Sequence, residues 1–93
     1  MSVKAQIWRK NPDGSSVGRD ADCDLSEKGL AWAMEVACRG TWSATLGDRL
    51  GVRIEGDGRE GEARIDHIQW LVSENKTKMR VVGVTPLKRP TGP

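Results

Sequence analysis

Ninety-three residues, 37% of them apolar and 30% charged, make one small soluble domain with room for only a modest core. The net charge is +2, from 15 Lys and Arg scattered among 13 Asp and Glu, which gives no case for a nucleic-acid polymer as partner. No apolar run approaches a membrane span, and the first stretch is too short and polar for a signal peptide, so a cytoplasmic location is expected.

The chain has 11 Gly and no Phe or Tyr, so its four Trp carry the aromatic burial. Val/Ile/Thr/Arg runs between glycine-rich turns favour strands over helices. In chain order, "VKAQIWRK" alternates Val3, Ala5 and Ile7 against Lys4, Gln6 and Trp8. "NPDG" is a turn, and "SSVGRDADCDLS" alternates again. Val17, Ala21, Cys23 and Leu25 share one face, and Asp20, Asp22, Asp24 and Ser26 share the other. A three-residue loop of Pro12, Asp13 and Gly14 puts Ala5 opposite Ala21, Val3 opposite Cys23, Lys4 opposite Asp22 and Trp8 opposite Gly18. A four-residue loop would mix the faces, which a half-buried sheet does not tolerate.

Residues 26–38 fit two templates. Leu30, Ala33, Met34, Ala37 and Cys38 have helical spacing; Leu30, Trp32, Met34, Val36 and Cys38 have strand spacing. Gly29 would cost a helix roughly 1 kcal/mol in its first turn, and the other strands need a partner for closure; both favour a strand. Further on, "RLGVRIEG" turns Leu50, Val52 and Ile54 inward and Arg49, Arg53 and Glu55 outward. "EARIDHIQWLV" slips phase between Ile65 and Ile68, which predicts a bulge near His67. "SENK" turns the chain and "TKMRVVGV" is the last strand. Residues 1–87 form the domain and 88–93 a Pro/Gly-rich flexible tail.

The chemistry-bearing residues are few. Cys23 and Cys38 have no CxxC spacing, and His67 is the only histidine, so buried thiols are expected rather than a metal site. If strands two and three turn around residues 26–28, Cys23 faces about Ala31 and Cys38 lies roughly 23 Å away, beyond disulfide reach. One His and no paired acid/base set argue against an enzyme, and no cofactor is implied. Asp24 and Ser26 point the same way before Gly29. A carboxylate there can accept the two side-by-side donors of a guanine Watson–Crick edge, and the hydroxyl adds an adaptable partner; the alternative is that both satisfy turn amides.

The stretch from Asp24 through Ser26 to Gly29 resembles the D/N-x-S-x-x-G signature of PilZ domains. "LGDRLGVRI", "ARIDHIQWLV" and "MRVVGVTPL" look like the later strands of that family, so the resemblance runs from about Val3 to Leu87. It implies a strand over residues 30–36 and a small six-stranded antiparallel β-barrel with little or no helix. It also implies a bacterial signalling module that binds cyclic di-GMP through Asp24, Ser26 and Gly29. The family's second signature, an R-x-x-x-R loop before the first strand, has no place here, because the chain is in strand pattern by Val3. Arg9, Lys10 and Arg19 are the basic residues nearest the first hairpin and the candidates for that role. Asp20, Asp22 and Asp24 make the outer face acidic, so the resemblance implies weak binding of the dianionic ligand. The other reading is an adaptor of the same fold that docks a protein in motility, pilus or secretion control.

Overall fold

The computed structural model describes residues 1–10, 14 and 16–89. Six antiparallel strands close into a barrel: β1 (Ser2–Lys10), β2 (Ser16–Lys28), β3 (Ala31–Arg39), β4 (Arg49–Ile54), β5 (Glu60–Leu71) and β6 (Lys76–Gly83). Their order around the barrel is β1-β2-β3-β6-β5-β4, and β4 pairs back onto β1. The only helical element among the described residues is one 3-10 turn, Val72–Glu74, ended by Asn75 in the left-handed region (φ 51°). No helix is long and apolar enough to cross a membrane.

Alternation drives closure. The inward positions Ala5, Ile7, Ala21, Cys23, Leu25, Met34, Val36, Leu50, Val52, Ile54, Ala63, Ile65, Met79 and Val81 are all buried in one core. A closed barrel leaves these residues no solvent-facing side and the strands no open edge along the lengths over which they pair. The β1–β2 register is the expected one, with Val3↔Cys23, Lys4↔Asp22, Ala5↔Ala21 and Trp8↔Gly18. The loop of Pro12, Asp13 and Gly14 that would set it lies outside the described residues, apart from Gly14. The expected bulge is also present, as a register shift between Ile65 and His67 that leaves Asp66 unmatched.

Residues 31–36 belong to a strand and not a helix, but the boundary differs from the expectation. β3 starts at Ala31 and runs on to Arg39, and Leu30 is 80% exposed in the turn instead of starting the strand. Lys28 pairs with Ala31, so the hairpin turns on Gly29 and Leu30 alone. Gly29 has φ +62° at the first turn position, where two-residue hairpins call for glycine. The expected turn at residues 26–28 is therefore wrong, and Cys23 faces Val36 rather than Ala31. Cys38 lies two residues further along on the same inward face, so the cysteines are diagonal neighbours and not some 23 Å apart. Both are free and buried.

Two tryptophans plug the barrel ends. Trp32, at the start of β3, is 4% exposed, and a Cβ on Gly83 would overlap its ring. Trp42, just beyond β3, is 7% exposed at the opposite end, with the Arg19 guanidinium 6.0 Å from its ring centroid. Lys88, expected in the tail, exchanges two backbone hydrogen bonds with Glu60 (2.8 and 2.9 Å), so the chain stays tied to the sheet past Leu87.

Trp8 lies on the outer face. Its ring covers Gly51 of β4, whereas a methyl group at Gly18 would come near the Trp8 Cβ (3.8 Å) and not the ring. This is the aromatic cover that a strand glycine needs, and it falls on the β1–β4 pair Trp8↔Gly51 rather than on the β1–β2 pair Trp8↔Gly18. A methyl group at Gly51 would overlap the Trp8 ring. Gly51→Ala is therefore expected to lose about 1–3 kcal/mol by overpacking, measurable by urea unfolding.

Candidate functional site

The β2–β3 hairpin presents the D-x-S-x-x-G stretch at one end of the barrel. β2 continues as strand through Lys28, so Asp24 and Ser26 stand on the outward row and are exposed. Asp24 faces Ser2 on one side and Glu35 on the other, and Ser26 faces Ala33. The Met1 ammonium donates to Asp24 Oδ1 (2.8 Å) and to the Leu25 carbonyl (3.0 Å). The Asp24 side chain is 66% exposed, so this pair is a weak surface contact that a ligand can displace. Gly29 closes the hairpin with open space around its Cα.

The arginine tied to this motif is one the sequence did not single out. Arg59 comes from the β4–β5 turn and donates from Nη1 to Glu27 Oε1 (2.7 Å), next to Ser26. Its Nε donates to Asp57 Oδ2 (2.8 Å), and its backbone N–H donates to Asp57 Oδ1 (2.9 Å). The backbone and side-chain hydrogen bonds from Arg59 hold the Asp57 carboxyl below its ordinary pKa, and the Glu27 and Asp57 carboxylates raise that of Arg59. Arg59 therefore stands beside the motif with its charge matched by two carboxylates. Nothing in the order of residues marks it, because Glu27 and Arg59 are brought together only by closure of the barrel.

Arg9, Lys10 and Arg19 lie elsewhere. Arg9 faces Val17 and Arg19 faces Ile7, toward the far end of the β1–β2 hairpin. Arg19 is five residues from Asp24 along β2, roughly 17 Å at strand rise. Both arginines are engaged locally. Arg9 Nη1 donates to the Ser43 carbonyl and lies 3.4 Å from Asp48 Oδ2, and Arg19 Nη1 donates to the Arg39 carbonyl (2.9 Å). The side chain of Lys10 lies outside what the structure describes. The structure thus brings Asp24, Ser26 and Gly29 together and does not bring the three basic candidates to them.

Two of the shallow grooves on the outer face lie along β2, from the motif outward. One, about 230 Å³, is lined by Ser2, Asp22, Asp24, Glu35, Ala37 and Lys78, with Cys23 and Val36 at its floor. The next, about 300 Å³, is lined by Lys4, Asp20, Asp22, Ala37, Arg39 and Glu55, with Ala21 at its floor. Carboxylates outnumber cations in both, so the surface beside the motif repels a dianion unless further cations are supplied. Compared with known proteins, the chain matches no family model, no curated protein and no solved structure.

Proposed function

We propose that this chain is a PilZ-type signalling module of the bacterial cytoplasm that offers cyclic di-GMP half of a site. Asp24 and Ser26 form the guanine-recognising half, beside the Gly29 turn; the cationic half is not built from the chain's own arginines. The observation that carries this reading is the outward, exposed placement of Asp24 and Ser26 on a continuous strand that ends in a two-residue turn. A carboxylate used only to satisfy turn amides would be bonded to them, whereas Asp24 is bonded to the Met1 ammonium. The separation of Arg9 and Arg19 from the motif supports weak binding, and so do the carboxylates that already match Arg59.

The expected strength follows from the contacts missing. Two charge-assisted contacts at roughly 1.5–3 kcal/mol each amount to about 3–6 kcal/mol. Their loss turns a micromolar site into one of about millimolar affinity or weaker. Calorimetric titration with micromolar cyclic di-GMP is expected to be flat. At millimolar ligand, amide shifts should appear at residues 24–29 and vanish in Asp24→Ala. A tight, saturable isotherm would overturn the half-site. No shift at any concentration would leave the second reading, an adaptor in motility, pilus or secretion control, which the acidic outer face favours.

A further inference from the structure

β5 has two backbone edges, and only one is paired along the length of the strand. On one side it pairs with β6 from Ala63↔Gly83 up to Leu71↔Lys76. On the other side, pairing with β4 ends at Arg49↔Arg64. The last bonds there join Gly47 N–H to the Ile65 carbonyl and Ile65 N–H to the Asp48 carbonyl, each 2.9 Å. Over residues 66–71 this edge has no strand partner among the described residues.

Open edges are normally guarded by charge, proline or a twist that spoils pairing. This one is not. Asp66 is occupied by Arg80 (2.7 Å), and then come His67, Ile68, Gln69, Trp70, Leu71 and Val72, without a Lys, Arg, Asp, Glu or Pro among them. The bulge between Ile65 and His67 resets the phase, so that Ile68 and Trp70 align with the buried Met79 and Thr77. Trp70 nevertheless remains 39% exposed, and Leu46 of the β3–β4 connection 64%. On the opposite phase, Gln69 and Leu71 stand beside Lys78 and Lys76 of β6. Both lysines are exposed, and neither is in an ion pair among the described residues.

We infer that the free edge of β5 receives an extended segment of a partner protein in which apolar and acidic residues alternate, added as a further strand. The amides and carbonyls of residues 66–71 supply the ladder. Alternate apolar residues of the segment pack on the exposed Trp70 and Leu46, beside Ile68, which packs on the core. Its acidic residues face Lys78 and Lys76, two strand spacings or about 10 Å away, within reach of a lysine and a glutamate side chain together. A second copy of this chain fits less well, because two such edges side by side bring no carboxylate between the two lysine rows. The inference does not rest on the nucleotide reading: the D-x-S-x-x-G turn is at the other end of the barrel, and of the residues used here only Lys78 also lines the groove beside Asp24.

The test uses the full, isotopically labelled chain and an acetylated heptapeptide of alternating valine and glutamate. Amide shifts confined to residues 64–72 are expected, with slowed hydrogen exchange there and saturation at high-micromolar peptide. The Lys76→Glu/Lys78→Glu variant alters only exposed side chains and should keep its spectrum outside β5, β6 and the groove that Lys78 lines. It should bind the acidic peptide roughly tenfold more weakly and take up an alternating valine–lysine peptide instead. No shift at millimolar peptide, shifts away from β5, or unchanged affinity in the charge-reversed variant would overturn the inference. Concentration-dependent shifts at the same amides without peptide would also overturn it, by making a second copy the occupant.

Discussion

Trp32→Ala is expected to cost about 3–5 kcal/mol, the range for truncating a buried tryptophan. The ring is 4% exposed, and it closes the end of the barrel against Gly83, Gly61 and Leu87. Its Nε1 donates to the Thr85 carbonyl (2.7 Å), so truncation also leaves that acceptor without its partner. A domain of this size has roughly 5–14 kcal/mol of stability in all. The melting temperature should therefore fall by about 15–30 °C. Gly83→Ala approaches the same contact from the other side, because its methyl overlaps the ring, and should lose about 1–3 kcal/mol. Trp42 provides the contrast. It is as well buried, but its Nε1 finds no acceptor among the described residues. Trp42→Phe keeps most of the packing and removes the unpaired donor, so it should change stability by less than about 1 kcal/mol. Thermal unfolding of the three variants by circular dichroism checks the order. A Trp32→Ala loss below that of Gly83→Ala would show that the ring is not the closing element.

Most of the barrel was legible because it rests on a period of two. Val3, Ala5 and Ile7 against Ala21, Cys23 and Leu25 fix one register, since a slip by one residue would turn every apolar side chain outward. The phase slip between Ile65 and Ile68 marked the bulge for the same reason. Four features were not legible. The polar run Ser26, Glu27 and Lys28 reads as a turn; in the barrel these residues extend the strand as its exposed end, and Gly29 and Leu30 make the turn. The cover over Gly51 was missed because the Trp8 ring leans toward β4, a neighbour that exists only once the barrel closes. For the candidate site, Asp24, Ser26 and Gly29 are local in sequence and could be read there. Arg59 reaches Glu27 from 32 residues away, and no local pattern announces it. The basic candidates Arg9 and Arg19 lie near the turn of the β1–β2 hairpin, whose second strand also carries the motif, but that strand is 13 residues long and keeps its two ends apart in space.

Cys23 and Cys38 are expected to be inert in the native protein and fully reactive once it unfolds. Their side chains are 5% and 3% exposed inside the core. Burial, helped by the neighbouring Asp22 carboxylate, pushes the Cys23 thiol up to about 11. Burial also raises Cys38, with Arg19 opposing it. At pH 8, moving a thiol from about 9 to about 11 lowers its thiolate fraction roughly 100-fold, and the thiolate is the species that reacts. Access adds a second factor, because a reagent reaches the sulfurs only when β2 and β3 open. Ellman's reagent should therefore show almost no colour with native protein over minutes. It should show two thiols per chain in denaturant, without reductant at any stage. The second number tests the register directly. The cysteines are diagonal neighbours on β2 and β3, a relation that sets backbones about 7–8 Å apart, against the 4.4–6.8 Å usual for a disulfide. A bridge would need the two strands to shift along one another, which the alternating core on both sides opposes. Two thiols from unreduced, unfolded protein fit that geometry; none would mean that the strands move enough to join the pair.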